Sequence, residues 1–274
     1  MGLFGFSALC LFLTLCVQPG DLACTFPFTG TWVTSNRGTW TVTSSSIQNF
    51  KLRVNVAAAS LYTMECFSSD GTYYVLKSTE IFYPFTTAPT YIYTCMTFSK
   101  QSDNKYLYTM NTEESTVVSL VFERVIALST SAPAPAQSAV CTDTTNLGKE
   151  RDHVALQSGF EVAAAVTCPT SIHGTWSYSY SGLTCSSTTL ETCSDKTKFA
   201  YNNTECAENP MFSAAGTLYC VYSATSGDST YVTLYNVDGS VTSPTTFQFS
   251  CMVRLYFNLI GCIFVYLRFE YFQQ

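Results

Sequence analysis

Apolar and polar residues alternate along most of the chain in short runs rather than at helical spacing. TWTVTSSSI, LYTMECF, TYYVLKS, TYIYTCMTF, KYLYTM, TVVSLVF, WSYSYSG, GTLYCVYS, TYVTLYNV and TFQFSCM combine β-formers with partial period-two alternation. That spacing sends successive side chains to opposite faces of a strand. Turn chemistry separates the runs at Ser68-Ser69-Asp70-Gly71, Ser226-Gly227-Asp228 and Val237-Asp238-Gly239. No long segment of the chain beyond its apolar start keeps a 3.6-residue repeat. The pattern predicts an all-β protein, built as two tandem, disulfide-stapled antiparallel barrels or sandwiches. Between Cys141 and Thr167, KERDH and then VALQSGFEVAAAV fit a short helix or a strand pair.

Three segments depart from the alternation and divide the chain. Leu3–Val17 is an uncharged apolar run of fifteen residues followed by Pro19, Gly20 and Ala23. It is too short for a comfortable membrane span, so residues 1–23 read as a secretory signal peptide, cut after Ala23 or Gly20. Ser129-Thr-Ser-Ala-Pro-Ala-Pro-Ala-Gln-Ser138 is uncharged, small and proline-bearing, which describes an extended connector. A first β domain is therefore expected over 24–128, a linker over 129–140, and a second β domain, cut short, over 141–252. Residues 253–274 contain no Ser or Thr, and 14 of these 22 residues are Val, Leu, Ile, Phe or Tyr. A membrane anchor, a terminal core strand and translated intron are three readings of this tail, and its foreign composition favours the third. Its uninterrupted apolar stretch falls short of the ~20 residues a span needs, so a membrane partner is not expected.

The two halves share a frame. Each of the three tryptophans, Trp32, Trp40 and Trp176, follows Gly-Thr. Cys24-Thr-Phe-Pro-Phe-Thr-Gly-Thr-Trp32 and Cys168-Pro-Thr-Ser-Ile-His-Gly-Thr-Trp176 both read C-x5-G-T-W. On that alignment Cys66 matches Cys220, and Cys95 matches Cys251, at intervals of 42 and 29 residues against 52 and 31. Three matches in one order indicate a duplicated unit, with Trp32 and Trp176 in equivalent structural positions.

Cysteine usage agrees with export. Cys10 and Cys16 leave with the leader. Ten remain as bridge candidates: Cys24, Cys66, Cys95, Cys141, Cys168, Cys185, Cys193, Cys206, Cys220 and Cys251, with Cys262 an odd one in the tail. No C-x2-C pair suggests structural zinc, and behind a leader an even set reads as a disulfide framework. Because equivalent copies should bridge equivalent pairs, Cys66–Cys95 and Cys220–Cys251 are the expected bonds. Asn202-Asn203-Thr204 is a glycosylation sequon at Asn202. Charged residues are only 12%, the formal charge is −6, and Ser plus Thr make 70 of 274 residues. Nucleic acid, which needs clustered Lys and Arg, is not an expected partner.

CTFPFTGTW, CPTSIHGTW and the cysteines after them resemble uncharacterised secreted or surface invertebrate proteins carrying tandem cysteine-rich domains of unknown function. That resemblance spans about residues 24–252 and implies an extracellular setting with no activity attached. The G-x-W at the entrance to an antiparallel meander is similar to the start of lipocalin and avidin barrels. It would imply a cup for a small hydrophobic ligand, although several disulfides per unit are atypical there.

Catalytic chemistry finds little support. His153 lies in KERDH, while His173 precedes the second GTW where the first copy has Thr29, so a turn role is expected for it. Two separated histidines do not make a metal site. No G-x-S-x-G elbow accompanies the many serines. Glu113-Glu114 and Asp70 are the available carboxylates, and adjacent glutamates on a strand point apart. Neither catalytic residues, metal ligands nor a cofactor is expected. Tyr73, Tyr74, Tyr91, Tyr93, Tyr106 and Tyr108 suit either a binding face or a core. The expected function is a non-enzymatic extracellular binding or structural module acting on a protein or glycan. A β-barrel carrier of a small hydrophobic ligand is the alternative, and a secreted hydrolase the third.

Overall fold

The computed structural model describes residues 24–53, 59–83, 88–142 (less 118, 119, 121 and 122), 152–177, 189–202, 213, 216–227, 229–238, 248–259 and 262–271. The leader expected over 1–23, together with Cys185, Cys206 and most of the sequon, lies outside them.

The first unit is an eight-stranded up-and-down barrel. In chain order it has β1 (Gly30–Thr34), β2 (Thr39–Val42), β3 (Ser46–Arg53), β4 (Ala59–Ser69), β5 (Tyr73–Ser78), β6 (Thr90–Ser102) and β7 (Lys105–Met110). The short β8 (Ile126–Ser129) flanks the start of β6, and a helical turn, α1 (Gln137–Val140), follows. Closure comes from β9 (His153–Gln157), which pairs with β1 on one side and β7 on the other, while β5 pairs with β6. Full closure leaves no open strand edge in the barrel.

β9 lies beyond the connector that was expected to separate two domains. The 129–140 segment is thus an excursion within the first unit. It runs over the outer face of β4–β6, where Val140 and Cys141 pack with Val75, Tyr93 and Cys95. Local composition identified the segment's extended character, but the partner of a later strand is not a local property.

The Gly-Thr-Trp triplets have a mechanical explanation. Gly30, Gly38 and Gly174 have φ of 105°, 78° and 150°, a region L side chains rarely adopt. In the first unit each indole N–H then donates to the carbonyl of the residue before its glycine: Trp32 Nε1 to Thr29 O at 3.0 Å, and Trp40 Nε1 to Arg37 O at 3.1 Å. Trp32 and Trp40 are register partners, so both rings enter the barrel together.

The second unit is a seven-stranded antiparallel meander, a half-barrel. It comprises β10 (Thr175–Ser177), β11 (Thr189–Glu191), β12 (Lys198–Asn202), β13 (Thr217–Ser226), β14 (Ser229–Asn236), β15 (Phe249–Leu259) and β16 (Cys262–Tyr271). Its core holds Ile172, Leu190, Phe199, Leu218, Val232, Leu234 and Met252. The foreign-looking tail runs as strand, through the end of β15 and all of β16, paired from Ser250–Tyr271 to Leu259–Cys262.

Among the described residues three disulfides are formed: Cys24–Cys66, Cys95–Cys141 and Cys168–Cys220. The expected Cys66–Cys95 bond is therefore wrong, and Cys220–Cys251 falls with it. Equivalent cysteines do bridge equivalently, since Cys24–Cys66 and Cys168–Cys220 occupy matching positions. Each ties the segment entering its unit to a later strand, β4 in the first unit and β13 in the second.

Candidate functional site

The lumen of the first barrel is filled by its own side chains. Phe28 lies 5.0 Å from Trp32, 5.2 Å from Phe98 and 4.5 Å from Tyr106, centroid to centroid. Trp40 stacks on Phe50 at 5.5 Å and leans on Tyr108 at 4.9 Å. An eight-stranded barrel is just wide enough either to be packed in this way or to hold one small ligand.

Both ends are stoppered. At one, Cys24–Phe28 crosses the opening: Phe26 and Phe28 are buried, and Tyr106 Oη donates to Pro27 O at 3.1 Å. At the other, Val117, Leu120 and Val125 pack against the lumen. Within TVVSLVF, expected as a strand, Val117 and Leu120 instead take part in turns, with Leu120 N donating to Val117 O and Glu123 N to Leu120 O. Val117 and Leu120 serve as a plug, a role that β propensity does not distinguish from a strand.

Buried polar chemistry gathers at this second end. Arg37 and Glu123 form an ion pair with side chains 7% and 6% exposed. Glu123 Oε1 also accepts Arg53 N at 2.5 Å, and Arg37 Nη1 donates to Lys51 O at 3.3 Å. Arg124 Nη1 donates to Thr112 O at 3.0 Å. Beside them Tyr108 Oη donates to Asn36 Oδ1, and Asn36 Nδ2 lies 3.0 Å from His153 Nε2. Desolvation drives the Tyr108 phenol well above its ordinary value. The cluster can hold a barrel end closed, and His153 is spent within it.

The remaining sequence candidates are dispersed. His173 ends a 3-10 turn, Thr170–Ile172, and its Nε2 donates to Cys168 O at 2.9 Å. Glu114 reaches Arg124 at 3.9 Å from the surface. Asp70 organises a turn, accepting Thr72 N at 2.9 Å and Tyr73 N at 2.7 Å. Those backbone bonds, Tyr73 first, hold its carboxyl below the usual range. Of the six tyrosines, Tyr74, Tyr106 and Tyr108 face the lumen. Tyr73, Tyr91 and Tyr93 join the cluster on the outer wall beneath the connector. None of the six forms an open face.

Two features carried no sequence signal. The first is an apolar seam between the units, in which Val33, Leu107, Val154 and Leu156 meet Val221, Tyr235 and Phe249. Lys105, 6% exposed, donates from Nζ to Ala164 O at 3.1 Å and Val221 O at 3.0 Å. Tyr222 Oη bonds Asp152 Oδ2 at 2.5 Å nearby. Burial lowers the Lys105 pKa from 10.5. The unfolded chain then binds the extra proton, so this group's contribution to stability rises with pH in the window below 10.5. Lys105→Met, which keeps the length and loses both bonds, is expected to cost about 1.5–3 kcal/mol. It should also let the units melt at separate temperatures in calorimetry; a single unchanged transition would contradict the seam's coupling role. The second feature is a set of exposed large apolar residues, Leu61, Ile81 and Tyr83. They stand where β4 begins and β5 leaves the barrel, at the end sealed by Glu123.

No described helix is long and apolar enough to cross a membrane. No curated protein and no solved structure matches the chain. A family model described only as a domain of unknown function, DUF7042, matches residues 164–258, from the seam through β15.

Proposed function

We propose that the protein is a non-enzymatic extracellular binding module that engages a macromolecular partner through its exterior. The observation that carries this reading is the first barrel's interior, where Trp32, Trp40, Phe50 and Tyr108 are each at most 2% exposed and two chain segments stopper the ends. A lumen occupied by its own side chains leaves recognition to the outer surface. The three disulfides support an oxidising compartment. Asn202, at the end of β12, is the proposed glycan attachment point.

A carrier of a small hydrophobic ligand is the second reading, favoured by the eight-stranded up-and-down topology. Native mass spectrometry of protein secreted from cultured cells separates the two. The exterior-binding reading expects the mass of the bridged, processed chain and its glycan alone. A retained small apolar molecule, released on unfolding, would replace it with the carrier.

A further inference from the structure

Of the nine prolines in the chain, two stand three residues after a Ser or Thr: Pro89 behind Thr86 and Pro133 behind Thr130. Thr86 lies outside the described residues. Thr130 belongs to the uncharged run Ser129–Ser138, the strap over the outer wall of β4–β6. Both ends of that strap are fixed. Ser129 pairs with Thr90, and Thr130 N donates to Pro89 O at 2.9 Å. At the far end Cys141 is bonded to Cys95, and Gln137 Nε2 donates to Asp70 Oδ2 at 2.7 Å. Between these anchors Thr130, Ser131, Ala132, Pro133 and Ala134 are all exposed.

The local backbone presents Thr130 outward. Ala132 N closes a turn onto Ser129 O at 2.9 Å, which puts Thr130 at the first corner. From Pro133 to Pro135 no backbone group bonds another described residue. Each proline fixes its own φ and biases the alanine before it towards extended backbone. The hydroxyls along the strap are not equivalent. Ser129 and Ser131 share a hydrogen bond at 2.8 Å, and Ser131 N donates to Ser129 Oγ at 3.3 Å. Ser138 lies inside α1, with Ala139, Val140 and Cys141 after it in place of a proline. The Thr130 hydroxyl is exposed and bonds no described residue.

We infer that Thr130 is an O-glycosylation site, which receives N-acetylgalactosamine from a uridine-diphosphate sugar. Hydroxyls in exposed, uncharged, proline-bearing segments are the acceptors from which mucin-type chains grow. The stiff backbone after Thr130 gives the transferase a handle that is already extended and loses little entropy on docking. Enzymes that choose a hydroxyl by flanking charge find none between Ser129 and Ser138. In the transfer the bond from sugar C1 to the diphosphate oxygen breaks, and a bond from C1 to Thr130 Oγ1 forms. Uridine diphosphate leaves with the electron pair and takes up the hydroxyl proton, so nothing is oxidised or reduced. The inference rests on the extracellular part of the proposed function, because the chain meets such transferases only along the export route.

The test uses the full chain in two settings. Secreted from cultured animal cells and stripped of N-linked glycan, it should carry a hexosamine that electron-transfer fragmentation places on Thr130. Refolded with its bridges and free of sugar, it should accept N-acetylgalactosamine at Thr130 from a purified transferase and its uridine-diphosphate donor. There Thr130→Ala should abolish incorporation, Ser131→Ala should leave it within about twofold, and Pro133→Ala should lower kcat/KM about tenfold. All three positions are exposed, so the melting temperature should not move. A secreted chain bare at Thr130, or one modified at Ser131 or Ser138 instead, would overturn the site and leave the extracellular reading standing. A chain that accepts the sugar when purified but stays inside the cells would overturn the extracellular reading, and the natural modification with it. The two failures are thus distinguishable.

Discussion

Trp40→Ala is expected to lower the unfolding free energy by about 3–5 kcal/mol, the range for deleting a fully buried large aromatic. The ring is completely buried, stacked on Phe50 with 13° between planes, and in contact with Tyr108. Removing it strands two aromatic faces and leaves Arg37 O without its indole donor. Neighbouring strands are held by the closed ladder, so the wall cannot collapse onto the void, and a cavity left open costs most. Trp40→Phe separates the contributions. It keeps the stack and loses the N–H bond, so its penalty should be nearer 1–2 kcal/mol. Urea denaturation followed by far-ultraviolet circular dichroism measures both without relying on the deleted fluorophore. A Trp40→Ala cost below about 1 kcal/mol would mean that this end of the lumen is not packed as described.

Glu123→Ala carries the second large effect. It leaves the Arg37 guanidinium buried and without its carboxylate, and it also removes the acceptor of Arg53 N. An uncompensated buried charge typically costs 3–5 kcal/mol, roughly the loss expected here. Desolvation, not the Coulombic attraction of the pair, sets that size, and this makes a sharper expectation available. Arg37→Met combined with Glu123→Leu removes both charges at similar volume and should recover most of the loss. The double-mutant cycle should then give a coupling of at least about 1 kcal/mol. Additive losses would show that the pair is solvated. Because Glu123 belongs to the segment that stoppers the lumen, Glu123→Ala should also speed proteolysis between Val117 and Val125, whereas the double variant should not.

Fold class was legible because alternation is a local property. The runs around Cys66, Tyr74, Cys95, Tyr106, Cys220 and Leu234 became strands where the pattern put them. The turn at Asp70 formed for the reason its residues suggest, a carboxylate capping two backbone amides. Little of the site was legible. The tyrosines alternate as expected, yet alternation names two faces without saying which is inside. Tyr106 and Tyr108 went to the lumen and Tyr91 and Tyr93 to the outer wall. Lys105 is only the charged first residue of the KYLYTM strand run, and the approach of Ala164 and Val221 makes it a buried donor.

By itself the amino-acid order determined the strands, their turns and the cysteine frame common to both halves, since each depends on residues close in sequence. Gly-Thr-Trp belongs with these: a glycine able to take positive φ and an indole three residues from its acceptor are local geometry. Tertiary structure alone decided which cysteines meet and that His153–Gln157 closes the barrel begun at Gly30. It also decided that two outer walls share an apolar seam. Those outcomes join residues from 42 to more than 200 positions apart. Chain entropy makes such contacts costly, and only the collective burial of a completed core selects among them.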